Sequence, residues 1–259
     1  MDLGLRGRAA FVAASSQGMG RATAECFAAE GADVGMCARG AEALEEAAAA
    51  VRAHGVRAVT RVADLSDAAQ AGPALEAVAG ELGRLDALVV NAGGPPPGVF
   101  RQLDDAAWQR AHELTLMSAV RLVRAALPWL ERSDAGSVLV ISSFSIRQPI
   151  GNLVLSNAVR AAVLGLAKSL ATEIAPVRVN TLMPGMVRTG RALALARARA
   201  AEGQSVEEVM AAHAQQSIPL RRYGEPEEFA RVAVFISSPA ASYVTGANIP
   251  VDGGIIQAP

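Results

Sequence analysis

The run Ala13-Ala14-Ser15-Ser16-Gln17-Gly18-Met19-Gly20 joins a short apolar segment to the start of a helical one. Glycines at such a junction let the backbone approach an anion, and the helix N-terminus adds N–H groups and a positive dipole end. The chemistry this permits is pyrophosphate binding. The same glycines also serve strand–helix packing, and the motif alone leaves both open. Farther along, Arg191, Arg197 and Arg199 could attract a phosphopantetheine or a carboxylated substrate, or simply form a solvated helix face. His213 titrates in the range a proton donor needs, although most lone histidines are not catalytic. Cys26 and Cys37 make neither a metal-like cluster nor a disulfide framework, so reduced thiols and no metal are expected.

These residues need a scaffold, and the chain alternates short apolar runs with longer helical ones. Strands are predicted at Ala9–Ala13, Asp33–Cys37, Ala58–Val62, Ala87–Val90, Ser137–Ile141, Val177–Leu182 and around Ile249–Val251. Helices are predicted between them, as at Ala41–His54 and Asp67–Leu82, with two long apolar ones around Asp104–Leu130 and Ser156–Ile174. Gly31 and Gly55 stand where helix C-terminal glycines are expected. The alternation predicts an α/β fold, a Rossmann-type doubly wound parallel sheet. No linker or low-complexity tract divides the chain, so residues 1–259 are expected to form a single domain.

Composition narrows the function classes. Hydrophobic residues make up 51% of the 259, mostly Ala, Val and Leu with few aromatics, which suits helices packed closely on a parallel sheet. A net charge of -1 offers no footprint for nucleic acid or a membrane surface. No secretion signal is read in Asp2, Arg6 and Arg8, and no apolar stretch is read as approaching the roughly 20 residues of a membrane span. A cytoplasmic location is expected.

The glycine turn resembles the Thr-Gly-x-x-x-Gly-x-Gly signature of the short-chain dehydrogenase/reductase family, and further matches follow in order along nearly the whole chain. Asn91-Ala92-Gly93 is similar to the family's Asn-Asn-Ala-Gly, and Ile141-Ser142-Ser143 falls where its serine ends a strand. Asn180, Pro184-Gly185 and Thr189 match the segment that grips the nicotinamide, and Gly246 with Asp252-Gly253-Gly254 matches the family's close. The resemblance implies a cofactor site made by Ser15, Ser16, Gly18, Met19, Gly20, Arg39, Asp64, Leu65, Asn91, Ala92, Gly93, Arg160, Pro184, Gly185, Val187 and Thr189. Asp64 would contact the adenine. An acidic residue near Ala38 would mark an NAD-preferring member. Alanine instead leaves room for a 2′-phosphate, with Arg39 to pair with it and Ser15 and Ser16 as further donors. NADP(H) is therefore expected over NAD(H), unless Arg39 is only a solvated charge.

The family's catalytic row is a serine, a tyrosine and a lysine, usually aided by an asparagine. Here the resemblance places Ser143 at the serine, Ser156 at the tyrosine, Arg160 at the lysine and Thr115 at the asparagine. Ser156 and Arg160 share a helix face one turn apart. An aliphatic hydroxyl is a far weaker acid than a phenol, and arginine does not relay protons as lysine can. Removing a general acid typically costs about 10²–10⁴ in rate. A water on Ser156 could supply the proton, and Arg160 could hold a substrate anion, the ribose hydroxyls or a polarised carbonyl. Neither Tyr223 nor Tyr243, in segments that look structural, is an obvious replacement.

The turn also departs from the family, with Ala13-Ala14 for Thr-Gly; a positive φ at Ala14 would cost more than for glycine, and the turn is expected to settle into a compatible conformation. Gly94-Pro95-Pro96-Pro97-Gly98 is either one wall of the substrate pocket or only a rigid loop. Residues 190–217 correspond to the family's mobile substrate lid. The leading expectation is an NADP-dependent oxidoreductase reducing a ketone such as a 3-oxoacyl thioester. The alternative is an inactive or non-redox member: a cyclase, an isomerase, a cofactor-binding subunit or an interaction protein. The family's contacts through the two long helices imply a homodimer or homotetramer. His54 is expected to end a helix favourably and His112 to lie on a helix surface.

Overall fold

In the computed structural model, which describes residues 1–201 and 203–257, seven short apolar runs form one parallel sheet. The strands are β1 (Ala9–Val12), β2 (Asp33–Ala38), β3 (Ala58–Val62), β4 (Ala87–Val90), β5 (Ser137–Ile141), β6 (Arg178–Pro184) and β7 (Asn248–Val251), in the order β3-β2-β1-β4-β5-β6-β7. Each lies within a residue or two of its predicted place, and the α/β, doubly wound parallel arrangement is as expected. Side chains alternate across the sheet. Phe11, Leu88, Val90, Val138 and Val140 enter one core, while Ala10, Val12, Val89, Leu139 and Ile141 enter the other.

Helices cover both faces because the central strands β1, β4 and β5 are buried on both sides. One face receives α1 (Gly18–Ala29), α2 (Ala41–Arg52) and α9 (Pro226–Ser237) through Phe27, Leu44, Val51 and Phe229. The other receives α3 (Ala68–Leu82), α5 (Ser118–Leu130) and α6 (Val154–Glu173) through Leu75, Leu122, Leu130, Val163 and Ala167. Burying a side chain such as Phe27 or Leu122 contributes about 1.5–3 kcal/mol. Between β6 and α9 lie α7 (Gly190–Arg199) and α8 (Val206–Ser217), which occupy the segment expected to be a lid.

Three expectations need correction. The first long helix is interrupted: α4 (Asp105–His112) passes through a π-helical turn, Glu113–Met117, before α5. His112 is half-buried there, with Nδ1 buried and without a partner, and does not lie on an open surface. Finally, α6 has the twenty residues and the apolar composition of a membrane span, contrary to the sequence reading. Its Leu155, Val159, Val163 and Ala167 pack into this domain, and the larger part of the apolar stretch stays outside the core.

Strand order reverses between β1 and β4, so the loops leaving their C-terminal ends diverge and open a crevice there. The opposite edge is held by Asp86, 3% exposed, which accepts from Ala9 N–H, Arg84, Arg8 and Ser133. Burial alone would raise this carboxyl's pKa, but the donors outweigh it and hold it below the ordinary range.

Candidate active site

At the crevice, β1 runs into the glycine turn and α1 begins at Gly18. The cap residue Gln17 makes no side-chain bond to the helix, and the first turn carries no acidic residue. The leading N–H groups are thus left for another acceptor. A Cβ on Gly20 would lie 2.3 Å from the Ala14 carbonyl oxygen and 2.9 Å from Asn91 Nδ2, so only glycine permits this approach. Asn91 Nδ2 donates to the Ala14 carbonyl at 3.3 Å and ties β4 to the turn. Ala14 adopts φ +49°, so the turn takes the left-handed conformation that costs alanine more than glycine. Packing of α1 against the turn outweighs a local cost of about 1–2 kcal/mol.

Other residues of the expected cofactor set ring the same edge. Arg39, exposed after β2, makes no hydrogen bond or ion pair among the described residues and lies near enough to help depress the Asp64 pKa. The larger causes at Asp64 are the Ser66 N–H and hydroxyl, both donating to Oδ1. Ser16 is half-buried, but Ser15 Oγ is wholly buried without a partner, so Ser15 does not face the crevice as a donor. Met19 and Leu65 pack their side chains on the core, leaving only backbone for a ligand. Gly93 is exposed, and Ala92 lines the cavity described below. Pro184 ends β6, and a Cβ on Gly185 would meet Asp252 Cα at 2.6 Å, a close strand crossing. Val187 is buried and bridged to Gly224. Thr189 caps α7 and sets its methyl over Gly18. Asn180 spends its amide on Val244 and Ala247, far from any grip on a ligand.

Of the expected catalytic residues, Ser156 and Arg160 meet on α6 against the end of β5, and Ser143 follows that strand without a bond to either among the described residues. Ser143 Oγ accepts the Ser145 N–H at 3.1 Å, which leaves its own proton to donate. Arg160 Nε donates to Ser156 Oγ at 3.2 Å, and Nη1 donates to the carbonyls of Ile141 and Ser142 at 3.3 and 3.0 Å. A guanidinium has five N–H donors, so Nη2 keeps two with no protein acceptor among the described residues. Burial, and then the charge of Arg191, push the Arg160 pKa down to about 10, and it stays protonated at neutral pH. Beside it lies a cavity leaving about 10 Å³ for the centre of a water molecule, lined by Asn91, Ala92, Thr115, Ser142 and Arg160 among others. Thr115 Oγ1 and Ser142 Oγ are buried without partners. Thr115 sits on the π-helical turn, a distortion frequent at functional sites.

His213 is not a free acid. Its Nδ1 lies 3.0 Å from the Tyr223 hydroxyl, and burial followed by Arg199 lowers its pKa. Tyr223 packs against Phe144, Ile218 and Ile255. Tyr243 is fully exposed, and the single lysine, Lys168, donates to the Gly246 carbonyl. Ser142 escaped sequence reasoning because nothing but adjacency to Ser143 marks it. Arg191 was a candidate only together with Arg197 and Arg199, because a helix pattern does not show where a long side chain turns.

A parallel sheet with a glycine turn at its switch point and polar side chains gathered at the same edge defines a Rossmann-type α/β protein with a nucleotide-binding topology. A family profile described as enoyl-(acyl carrier protein) reductase matches residues 13–256. An uncharacterised short-chain type dehydrogenase/reductase of Sinorhizobium fredii is 32% identical over 97% of this chain and 98% of its own. The chain belongs to the short-chain dehydrogenase/reductase family. Among solved structures, L-sorbose reductase from Gluconobacter frateurii, complexed with NADPH and L-sorbose, superposes with a TM-score of 0.97 at 32% identity, covering 100% of both chains. A short-chain oxidoreductase from Pseudomonas aeruginosa PAO1, described as containing an atypical catalytic center, gives 0.92 at 35% identity and full coverage of both. Its NADPH-bound form gives 0.88 at 36% identity, over 97% of this chain and 98% of that one.

Proposed function

We propose that this oxidoreductase uses NADP(H) to reduce a ketone, with Ser143, Ser156 and Arg160 as an atypical catalytic row. The observation that carries the proposal is the Arg160 side chain, bonded to Ser156 and to the end of β5 with two donors unspent beside the cavity. The uncapped start of α1, the cradle at Gly20 and the unpaired Arg39 suit the diphosphate and 2′-phosphate of NADP(H). When bound, that cofactor supplies a hydride to the carbonyl carbon. The Ser143 hydroxyl donates to the carbonyl oxygen, and Arg160 Nη2 stabilises the negative charge that develops there. A water held by Ser156 gives the oxygen its proton, and the product is the alcohol.

A 3-oxoacyl thioester is one substrate of this type. A cytoplasmic dimer or tetramer completes the proposal, with no nucleic acid or membrane as partner. Only 28% of the apolar stretch of α6 is buried within the chain, and a second copy would cover the remainder. The test is titration with NADPH and NADH by nicotinamide fluorescence, followed by NADPH consumption over a ketone panel. Tight NADPH binding with turnover is expected, and Ser143→Ala should lower the rate by about 10²–10³. Tight binding without turnover on any ketone would favour the inactive or non-redox alternative.

A further inference from the structure

Arg191 stands in the first turn of α7, in the segment that reads from the sequence as a solvated face. Its side chain crosses to the loop after β4 instead. Nη2 donates to the Pro95 carbonyl at 3.1 Å, and a Cβ on Gly94 would meet Nη1 at 2.3 Å. Arg160 stands on the inner side of the same loop, lining the cavity with Asn91 and Ala92. The two guanidiniums are close enough that the charge of Arg191 adds to burial in lowering the Arg160 pKa.

Neither cation has a carboxylate partner among the described residues. Arg160 spends its bonds on Ser156 and two carbonyls, and Arg191 on Pro95. No acidic group offsets the burial of Arg160. Two positive charges within electrostatic reach of each other, with no acid to offset either, favour an anion beside them. The loop beside Arg191 cannot supply donors for that anion, because Pro95, Pro96 and Pro97 have no N–H. Two further groups await a partner in the cavity wall: Thr115 Oγ1 and Ser142 Oγ, in residues 6% and 4% exposed. The positive end of α7, capped by Thr189, adds to the field.

We infer that Arg191, held on the loop after β4, binds a carboxylate on the substrate while Arg160 Nη2 is left to the ketone oxygen, so that the ketone reduced is an oxo acid. A planar guanidinium fork matches a carboxylate, and the donor-poor loop selects against a neutral polar group in its place. The inference rests on the reductase proposal for its ketone, but the anion subsite can be tested apart from turnover.

The experiment is calorimetric titration of the protein saturated with NADP⁺, a form that cannot reduce the ligand. Acetoacetate and levulinate are each compared with their methyl esters, for the native protein, Arg191→Gln and Arg191→Lys. At least one acid should bind about ten- to a hundredfold more tightly than its ester, the range expected for a charge-assisted bidentate contact. Arg191→Gln should abolish that preference, Arg191→Lys should keep part of it, and NADP⁺ affinity should stay within about threefold, since the glycine turn holds the diphosphate. Esters binding as tightly as acids would overturn the inference. So would an Arg191→Gln protein that loses NADP⁺ affinity while keeping the acid preference, because Arg191 would then serve the cofactor. A strong acid preference without NADPH oxidation leaves the subsite standing and removes the reductase proposal. Oxidation with esters and acids alike does the reverse.

Discussion

Ala14 carries an alanine methyl group in a backbone conformation that favours glycine, φ +49°, between a strand and the helix that packs on it. Relief of a left-handed alanine, about 1–2 kcal/mol, is partly offset by the extra freedom glycine brings to the unfolded chain, about 0.5–1 kcal/mol. Ala14→Gly should therefore stabilise the protein by about 0.5–1 kcal/mol, raising Tm by roughly 1–4 °C in a calorimetric scan. A fall in Tm would mean that the methyl makes a contact worth more than the strain. At Arg160, what matters is how its donors are divided. Three bonds fix the side chain against β5 and Ser156, and the rest of the guanidinium stays available to a ligand.

At the scale of the element, the crevice depends on how closely α1 starts behind β1. Gly20→Ala would set a Cβ against the Ala14 carbonyl and Asn91 at once, and a backbone oxygen cannot rotate away as a side chain can. The start of α1 must then move, costing about 1–3 kcal/mol by the usual measure of overpacking. NADPH affinity should fall along with stability, measured by fluorescence titration and urea unfolding. Unchanged affinity would show that the start of α1 does not hold the cofactor. The π-helical turn between α4 and α5 works in the same way for Thr115, setting a residue with an unpartnered buried hydroxyl in the cavity wall without breaking the helix.

Across the whole molecule, the sheet separates its tasks by edge. The C-terminal edge gathers the groups left without partners, while the N-terminal edge pairs Asp86 with Arg84, Arg8, Ser133 and the Ala9 amide. The folded pKa of Asp86 is depressed, so its stabilisation is complete above the ordinary aspartate range, about 4, and is lost as pH falls through the folded value. Asp86→Asn should cost about 1–3 kcal/mol at neutral pH, because the buried side chain loses its charge-assisted bonds while Arg84 stays in water and Arg8 keeps Asp134. It should also flatten the acid limb of stability, read by urea unfolding from pH 6 downward. A variant that keeps the native acid limb would assign the acid sensitivity elsewhere. Sedimentation of the native protein, against a variant with Ala162→Glu on the exposed side of α6, tests the proposed dimer or tetramer. A native monomer would remove it.

By itself the sequence determined the architecture, because strand and helix periodicities are local and the seven apolar runs have few other ways to bury both faces. It also determined the place of the glycine turn and the family, since these rest on the order of short motifs along one chain. Tertiary structure decided which side chains meet. Ser15 turned inward, Asn180 was spent on Val244 and Ala247, and His213 was paired with Tyr223. Arg191 left its helix face for Pro95, more than ninety residues away in the chain. Alanine at position 14 was held in a glycine conformation because the packing of α1 outweighs one residue's strain. These outcomes depend on long-range contacts whose energies exceed local preference, and no periodicity or spacing in the chain records them.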